Sequence, residues 1–360
     1  MDTKRLQKNN FTETDVIIVG QGIAGSVLAL SYLWTGKSVY LISNNSLSQS
    51  SRVAAGIWNP VVFKRLTKTW MADELIPFAK TFYQKAEKQL NIPLYTEREI
   101  LKPFTELQEE QFWLKKSSSD NPYLQNQILN NYTISSQKTI PSYSFVNDAG
   151  NINILDFLNT TQQFLSRNNS FCDSDFIFDD LELHKDKIIY QNLISKQIIF
   201  CEGHLISNNP YFNWIPLKPA KGETLTIKST DINLGNSIFN KGFYILPLGD
   251  DIYKIGATYE WENLNDTPTE NGKNELVKKI SDSITSSFKI IQHDAGVRPS
   301  VIDRRPVVGN HPEHQNMSVF NGFGTKGVII APYFADYLIN LNAKLIAENN
   351  EVSPLRFYKK

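Results

Sequence analysis

Two cysteines, Cys172 and Cys201, are all that the 360-residue chain contains. That is too few for a disulfide framework, and their spacing fits no zinc motif. Both are expected to behave as buried apolar residues, and a reducing cytoplasm is the simplest home for them. Charge of one sign is also lacking: Lys+Arg and Asp+Glu each count 37, so the formal net charge is zero. A dedicated nucleic-acid binder normally carries a basic surplus that displaces counterions from phosphate, so no nucleic-acid partner is expected. The longest uncharged run, Val16 to Gly36, follows Lys4, Arg5 and Lys8 and superficially resembles a signal peptide or a membrane span. Gln21, Ser26, Ser31 and three clustered glycines interrupt it, and no small-residue cleavage pattern follows. A soluble chain without a membrane span is expected. No Ser-His-Asp arrangement, no carboxylate pair of obvious role and no metal-ligand set is present. The five histidines, at 184, 204, 293, 311 and 314, are scattered or loop-borne and are read as surface or structural residues.

What is there is enough sequence for two compact lobes, with an ordinary hydrophobic content of 41%. Residues 1–13 are polar and are expected to fray. Asp15 to Val19 is a short apolar run of the kind found in parallel strands covered on both faces. Gly25 to Thr35 reads as a helix stopped by Gly36, and Ser38 to Ile42 as a second strand, which together make a βαβ unit. Helices are predicted over 72–90, 154–166, 274–287 and 327–347, with helices or loops over 104–130. Strands are predicted at 187–191, 197–201, 223–227, 243–247 and 253–258, the later ones punctuated by glycine turns.

Gly20-Gln21-Gly22-Ile23-Ala24-Gly25 follows the first strand and opens the first helix, the context in which G-x-G-x-x-G binds a dinucleotide. The first glycine permits the turn, the second lets the backbone approach a pyrophosphate, and the third lets helix and strand pack closely. The helix N-terminus then offers amide donors and a partial positive charge. Gly20, Gly22, Ile23, Ala24 and Gly25 are therefore candidate cofactor contacts. The end of the second strand, which usually carries Asp or Glu for the ribose hydroxyls, holds Ser43 and Asn44 instead. Both are taken as neutral candidates for that contact.

Three further segments accompany the turn: Ser50 to Pro60, Ala295 to Gly309 (with Gly296, Arg298 and Pro299), and Asn321 to Val328. Together the four motifs resemble, in order from about residue 14 to 342, the D-amino-acid oxidase family that includes glycine oxidase and sarcosine oxidase. The resemblance is strong at both ends and vague over 72–150. It implies non-covalent FAD, since no cysteine lies in the late glycine segment. By the same resemblance Ser51, Arg52, Ala55, Gly56 and Ile57 line the flavin, and Gly203 approaches the cofactor. Gly322, Gly324, Thr325, Lys326 and Gly327 would sit against the pyrimidine end of its ring, where a helix N-terminus stabilises negative charge. Arg298 matches the arginine that clamps a substrate carboxylate, a task suited to its planar, permanently charged fork, with an internal salt bridge to Asp303 as the competing reading. Tyr244 matches a strand tyrosine that faces substrate, or else a core aromatic. Lys221, Gly222 and Glu223 resemble a structural entry into the substrate-domain sheet. Glycine-oxidising relatives often carry an arginine where Thr325 stands, which speaks against an ordinary glycine-like substrate.

The resulting expectation is an α/β protein. A Rossmann-type FAD lobe comprises residues 14–70, 146–215 and 293–348, and an α+β substrate lobe on a mixed or antiparallel sheet comprises 71–145 and 216–292. Its activity would be FAD-dependent oxidation of the C–N bond of an amino acid or related amine, a small-molecule substrate, with no catalytic side chain assigned because a neutral amine can give up hydride directly. The alternatives are an enzyme that trims a modified tRNA uridine, an NAD(P)-dependent dehydrogenase, and a non-catalytic flavin-binding protein.

Overall fold

The computed structural model describes residues 11–47, 49–117 and 121–359. Two sheets organise it. The first runs in the order Leu181–Leu183, Ile188–Tyr190, Leu193–Phe200, Thr12–Val19, Val39–Ile42, Phe171–Cys172, with Met317–Asn321 also paired to Leu193–Phe200. Its centre is parallel: Thr12–Val19 lies between Val39–Ile42 and Leu193–Phe200. Alternation along this strand explains its apolar run. Val16 and Ile18 enter a core shared with the helices Ile23–Trp34, Ala72–Leu90, Ile154–Arg167 and Gly327–Asn342, whereas Ile17 and Val19 enter a second core with Phe200 and Phe212. A strand buried on both faces has no room for polar residues.

The second sheet is mixed. Its order is Lys289–Arg298, Ala220–Lys228, Ile252–Gly256, Tyr244–Gly249, Ile238–Asn240, Tyr95–Phe104, Lys138–Ile152, Ile57–Trp58, with Leu129–Ser135 paired to Lys138–Ile152. All its pairings are antiparallel except the one between Ile238–Asn240 and Tyr95–Phe104. Its back face packs Leu225, Ile227 and Ile255 against Leu276 and Ile280 of the helix Glu270–Ser283. The chain is thus a two-sheet α/β protein, as its sequence pattern suggested.

Some boundaries differ from expectation, each for a local reason. The first strand begins at Thr12 rather than after residue 13, because Thr12 and Glu13 pair with Leu193 and Ile194; residues 1–10 of the expected frayed start lie outside the described residues. The helix expected at 274–287 starts at Glu270, since the Thr269 hydroxyl caps the Gly272 amide at 3.0 Å, and it ends where Ile284 turns extended. The last helix stops at Asn342, two residues before Lys344 takes a left-handed conformation. The region 104–130 holds the helix Leu107–Ser117, but the strand Tyr95–Phe104 and the hairpin of Leu129–Ser135 with Lys138–Ile152 were not foreseen. Consequently the lobe boundaries expected at 145 and 292 fall inside strands of the second sheet. Among the described residues no helix is long and apolar enough to cross a membrane.

Candidate active site

A cavity of about 540 Å³ runs between the two sheets. It begins at the carboxyl end of Val39–Ile42, passes the glycine turn, and ends under the second sheet. This is where an open α/β sheet generally receives its ligand.

The turn is built by close approaches that side chains would block. A Cβ on Gly20, whose φ is +100°, would stand 2.6 Å from the carbonyl oxygen of Cys201. One on Gly25 would stand 1.9 Å from the carbonyl oxygen of Gly20, so helix and strand touch there. Gly20, Gly22, Ile23 and Ala24 line the cavity; Gly25 does not, serving the packing beneath it. Ser51 Oγ accepts the Ile23 amide at 3.0 Å and Ser43 Oγ accepts the Gln21 amide at 3.0 Å, which fixes both edges of the turn. The remaining first-turn amides have no acceptor within the helix.

Ser43, Asn44, Ser51, Ala55, Gly56, Ile57, Gly203, Gly324, Thr325, Lys326 and Gly327 also line the cavity, and so do Arg298 and Tyr244. Arg52 and Gly322 do not. The Arg52 guanidinium turns to Gln49 (3.0 Å) and Asn159 (2.8 Å). Gly322, at φ +80°, shapes the chain behind the wall, where its amide donates to Asn321 Oδ1 at 2.7 Å. Asn321 also donates to the Gly203 carbonyl at 2.8 Å, tying two wall segments together. Lys326 Nζ donates to Thr69 Oγ1 at 2.9 Å, and burial pulls its ammonium down to about 8.

The substrate end is set by the cavity-facing side of the second sheet. Arg298 Nη1 and Nη2 each lie 3.3 Å from the Thr258 carbonyl, and its Nη1 lies 3.4 Å from that of Lys221; these are long, weak contacts. The Tyr259 ring lies over the guanidinium with Cζ 4.4 Å from the ring centroid. The competing partner, Asp303, pairs instead with Arg356 at 2.8 Å. No carboxylate pairs with Arg298 among the described residues. Tyr244 lies beside this cation, and burial raises its phenol well above the ordinary value.

Several cavity residues escaped the sequence reading. His204, taken as surface or structural, lines the wall, and burial lowers its pKa. Glu202 lines it too, its carboxyl pushed up to about 7 by burial against a hydrogen bond from Asn209 Nδ2 at 2.6 Å. Thr224 Oγ1 is a buried orphan at the wall, and Asp175 and Tyr259 line it as well. None of these stands in a local pattern that names it.

The cradle fits a dinucleotide carrying a planar ring: a glycine turn at a helix N-terminus, a long apolar wall, and, at the far end, the orphan Thr224 hydroxyl beside a cation with no carboxylate partner among the described residues. Comparisons with known proteins agree. A family model described as "DAO: FAD dependent oxidoreductase" matches residues 15–341. Glycine oxidase of Bacillus licheniformis is 30% identical over 125 residues, covering 34% of each chain. The tRNA 5-methylaminomethyl-2-thiouridine biosynthesis bifunctional protein of Marinobacter nauticus is 25% identical over 163 residues, 41% of this chain and 26% of that protein. The matched stretch therefore spans about a third or less of these relatives' own length. The crystal structure of iminodiacetate oxidase from Chelativorans sp. BNC1 superimposes with a TM-score of 0.78 at 16% identity, covering 94% of this chain and 98% of that one.

Proposed function

The chain belongs to the DAO family of FAD-dependent oxidoreductases, and on that footing we propose that it oxidises the carbon–nitrogen bond of a carboxylated amine or amino acid. The observation that carries this reading is Arg298. A guanidinium that lines a cavity, packs against Tyr259 and among the described residues meets long carbonyl contacts but no carboxylate has its charge uncompensated there. A cation held that way is completed by an anion from the ligand, and a carboxylate matches its fork.

In this reading the FAD is non-covalent. The turn from Gly20 to Ala24 holds its pyrophosphate, and the segments Ser51 to Ile57 and Gly324 to Gly327 flank its ring. Bound FAD supplies the two-electron acceptor for a hydride leaving the carbon next to nitrogen. The chain's own residues bind and orient. Arg298 fixes the carboxylate, Tyr244 and Tyr259 wall the substrate from water, and the amides at the start of Gly327–Asn342 with Lys326 offer positive potential. No side chain need take a proton from a substrate bound as the neutral amine. We assign the first-sheet segments to the cofactor lobe, with its borders moved to the ends of Lys138–Ile152 and Lys289–Arg298, and the cytoplasm as its place. Family membership does not favour the NAD(P)-dependent alternative.

The test is an absorption spectrum of the purified protein followed by anaerobic additions of amino acids and amines. Flavin bands that bleach with carboxylated amines are the expected result. Bands that bleach with no amine, or only with an RNA substrate, would overturn the proposal.

A further inference from the structure

The strand that should carry a ribose-binding acid, Val39–Ile42, ends in two neutral residues, and the hydrogen bonds there show what they do instead. Ser43 Oγ is engaged by the Gln21 amide. Asn44 Nδ2 donates to Asp175 Oδ1 at 2.9 Å. Asp175 follows Phe171–Cys172, the strand that extends the sheet beyond Val39–Ile42 in the pairings Leu41 to Phe171 and Ile42 to Cys172. Parallel pairing brings both strands' carboxyl ends to the same edge, so an acid just past the second one reaches the place that the first leaves neutral.

Two Asn–Asp pairs latch the strand ends together, and they differ. Asp173 is fully used: Oδ1 accepts the Asn45 amide at 2.9 Å and Oδ2 accepts Asn45 Nδ2 at 2.7 Å. Asp175 is half used. Its Oδ1 takes Asn44, its Oδ2 has no partner among the described residues, and both Asp175 and Asn44 line the cavity. Resting on the FAD reading of this cavity, we propose that Asp175 supplies the carboxylate for the ribose diol of the adenosine moiety, oriented by Asn44. Carboxylate is the acceptor that two adjacent hydroxyls favour, because each O–H···O⁻ bond is charge-assisted. The same charge disfavours a ribose bearing a 2′-phosphate.

The test is FAD affinity of the full-length apoprotein, followed by quenching of flavin fluorescence. It uses wild type, Asp175→Ala, Asp175→Asn and Asn44→Ala, each with FAD and with FAD built on 2′-deoxyadenosine. Asp175 is exposed, so the variants should fold, which circular dichroism of the apoproteins checks. The expected result is on the order of 10- to 100-fold weaker FAD binding for Asp175→Ala, the loss of a charged hydrogen bond, with the asparagine variant in between. Wild type should prefer FAD to the deoxy analogue, and Asp175→Ala should bind the two alike. Wild-type affinity in Asp175→Ala, or an undiminished preference for FAD, overturns the ribose assignment alone. A wild-type chain that binds no FAD would overturn the cofactor reading and this assignment with it.

Discussion

The ring of Tyr259 and the backbone of Gly222 hold the Arg298 guanidinium between them, with Cζ 4.4 Å from the ring centroid on one side. On the other, a Cβ added to Gly222 would stand 1.9 Å from Nη2. Both groups pack against the cation, and among the described residues its edge meets only the long carbonyl contacts of Thr258 and Lys221, with no carboxylate. Cation–π contact favours the planar fork in place, and it leaves the net charge unneutralised.

Removing that charge should therefore cost substrate affinity and leave the cofactor alone. Arg298→Ala is expected to raise KM for a carboxylated substrate on the order of a hundredfold, about 3 kcal/mol, with flavin absorbance retained. Arg298→Lys should recover only part of it, because an ammonium cannot bind bidentately. Steady-state kinetics on the reconstituted enzyme reads this, and an unchanged KM in the alanine variant would sink the clamp.

Gly222→Ala tests the same geometry without touching the charge. Its new methyl would occupy the site of the guanidinium, and the opposite face is closed by Tyr259. The arginine must swing out, so the variant should mimic Arg298→Ala in KM while binding FAD normally. If Gly222→Ala kept wild-type kinetics, the guanidinium would have to act from somewhere else.

Beneath the cavity floor, Lys221 and Glu223 point to the back of the sheet and hold the loop that carries Tyr259. Lys221 Nζ donates to Asn265 Oδ1 at 2.9 Å and lies 3.7 Å from Glu223 Oε1. Glu223 accepts from the Thr269 amide at 3.0 Å and hydroxyl at 2.9 Å, and meets His293 Nε2 at 2.8 Å. Removing one member strands a buried charge, so Glu223→Ala should lower unfolding free energy by about 3–5 kcal/mol. Urea unfolding measures it. A loss within the range of surface substitutions, under about 0.5 kcal/mol, would mean the cluster holds nothing.

What the sequence made legible was local. The glycine turn could be read because each glycine answers a contact within one strand–helix unit, and Ala72–Leu90 because its apolar stripe is long. The strand Tyr95–Phe104 and the hairpin after it were missed for a physical reason. Asn130, Asn131 and Thr133 face solvent, so the hairpin's first strand carries little apolar alternation, and Tyr95–Phe104 is made regular by pairing with residues 142–152 far along the chain. Asp175 was invisible in the same way: its partner Asn44 is 131 residues away, and strand adjacency brings the two together. Arg298 was found through its motif. That no carboxylate meets it among the described residues depends on the fold, which sends Asp303 to Arg356 instead.

Glu202 makes a prediction about pH. Burial raises its folded-state pKa from 4.5 to about 7, against the opposing hydrogen bond from Asn209. Below about pH 4.5 folded and unfolded chains both hold the proton. Between 4.5 and 7 the unfolded chain releases a proton that the folded chain keeps, so stability falls as pH rises; above 7 the loss is complete. The full effect is on the order of 3 kcal/mol. Glu202→Gln keeps an oxygen for Asn209 and has no proton to lose. The variant should therefore be the more stable protein at pH 8, and the gap between the two should narrow towards pH 5. Urea unfolding of the apoproteins at pH 5 and pH 8 gives the gap directly. A gap of the same size at both values would mean that Glu202 is ionised in the folded chain throughout, and that the cavity wall beside Gly20 carries a negative charge instead of a neutral acid.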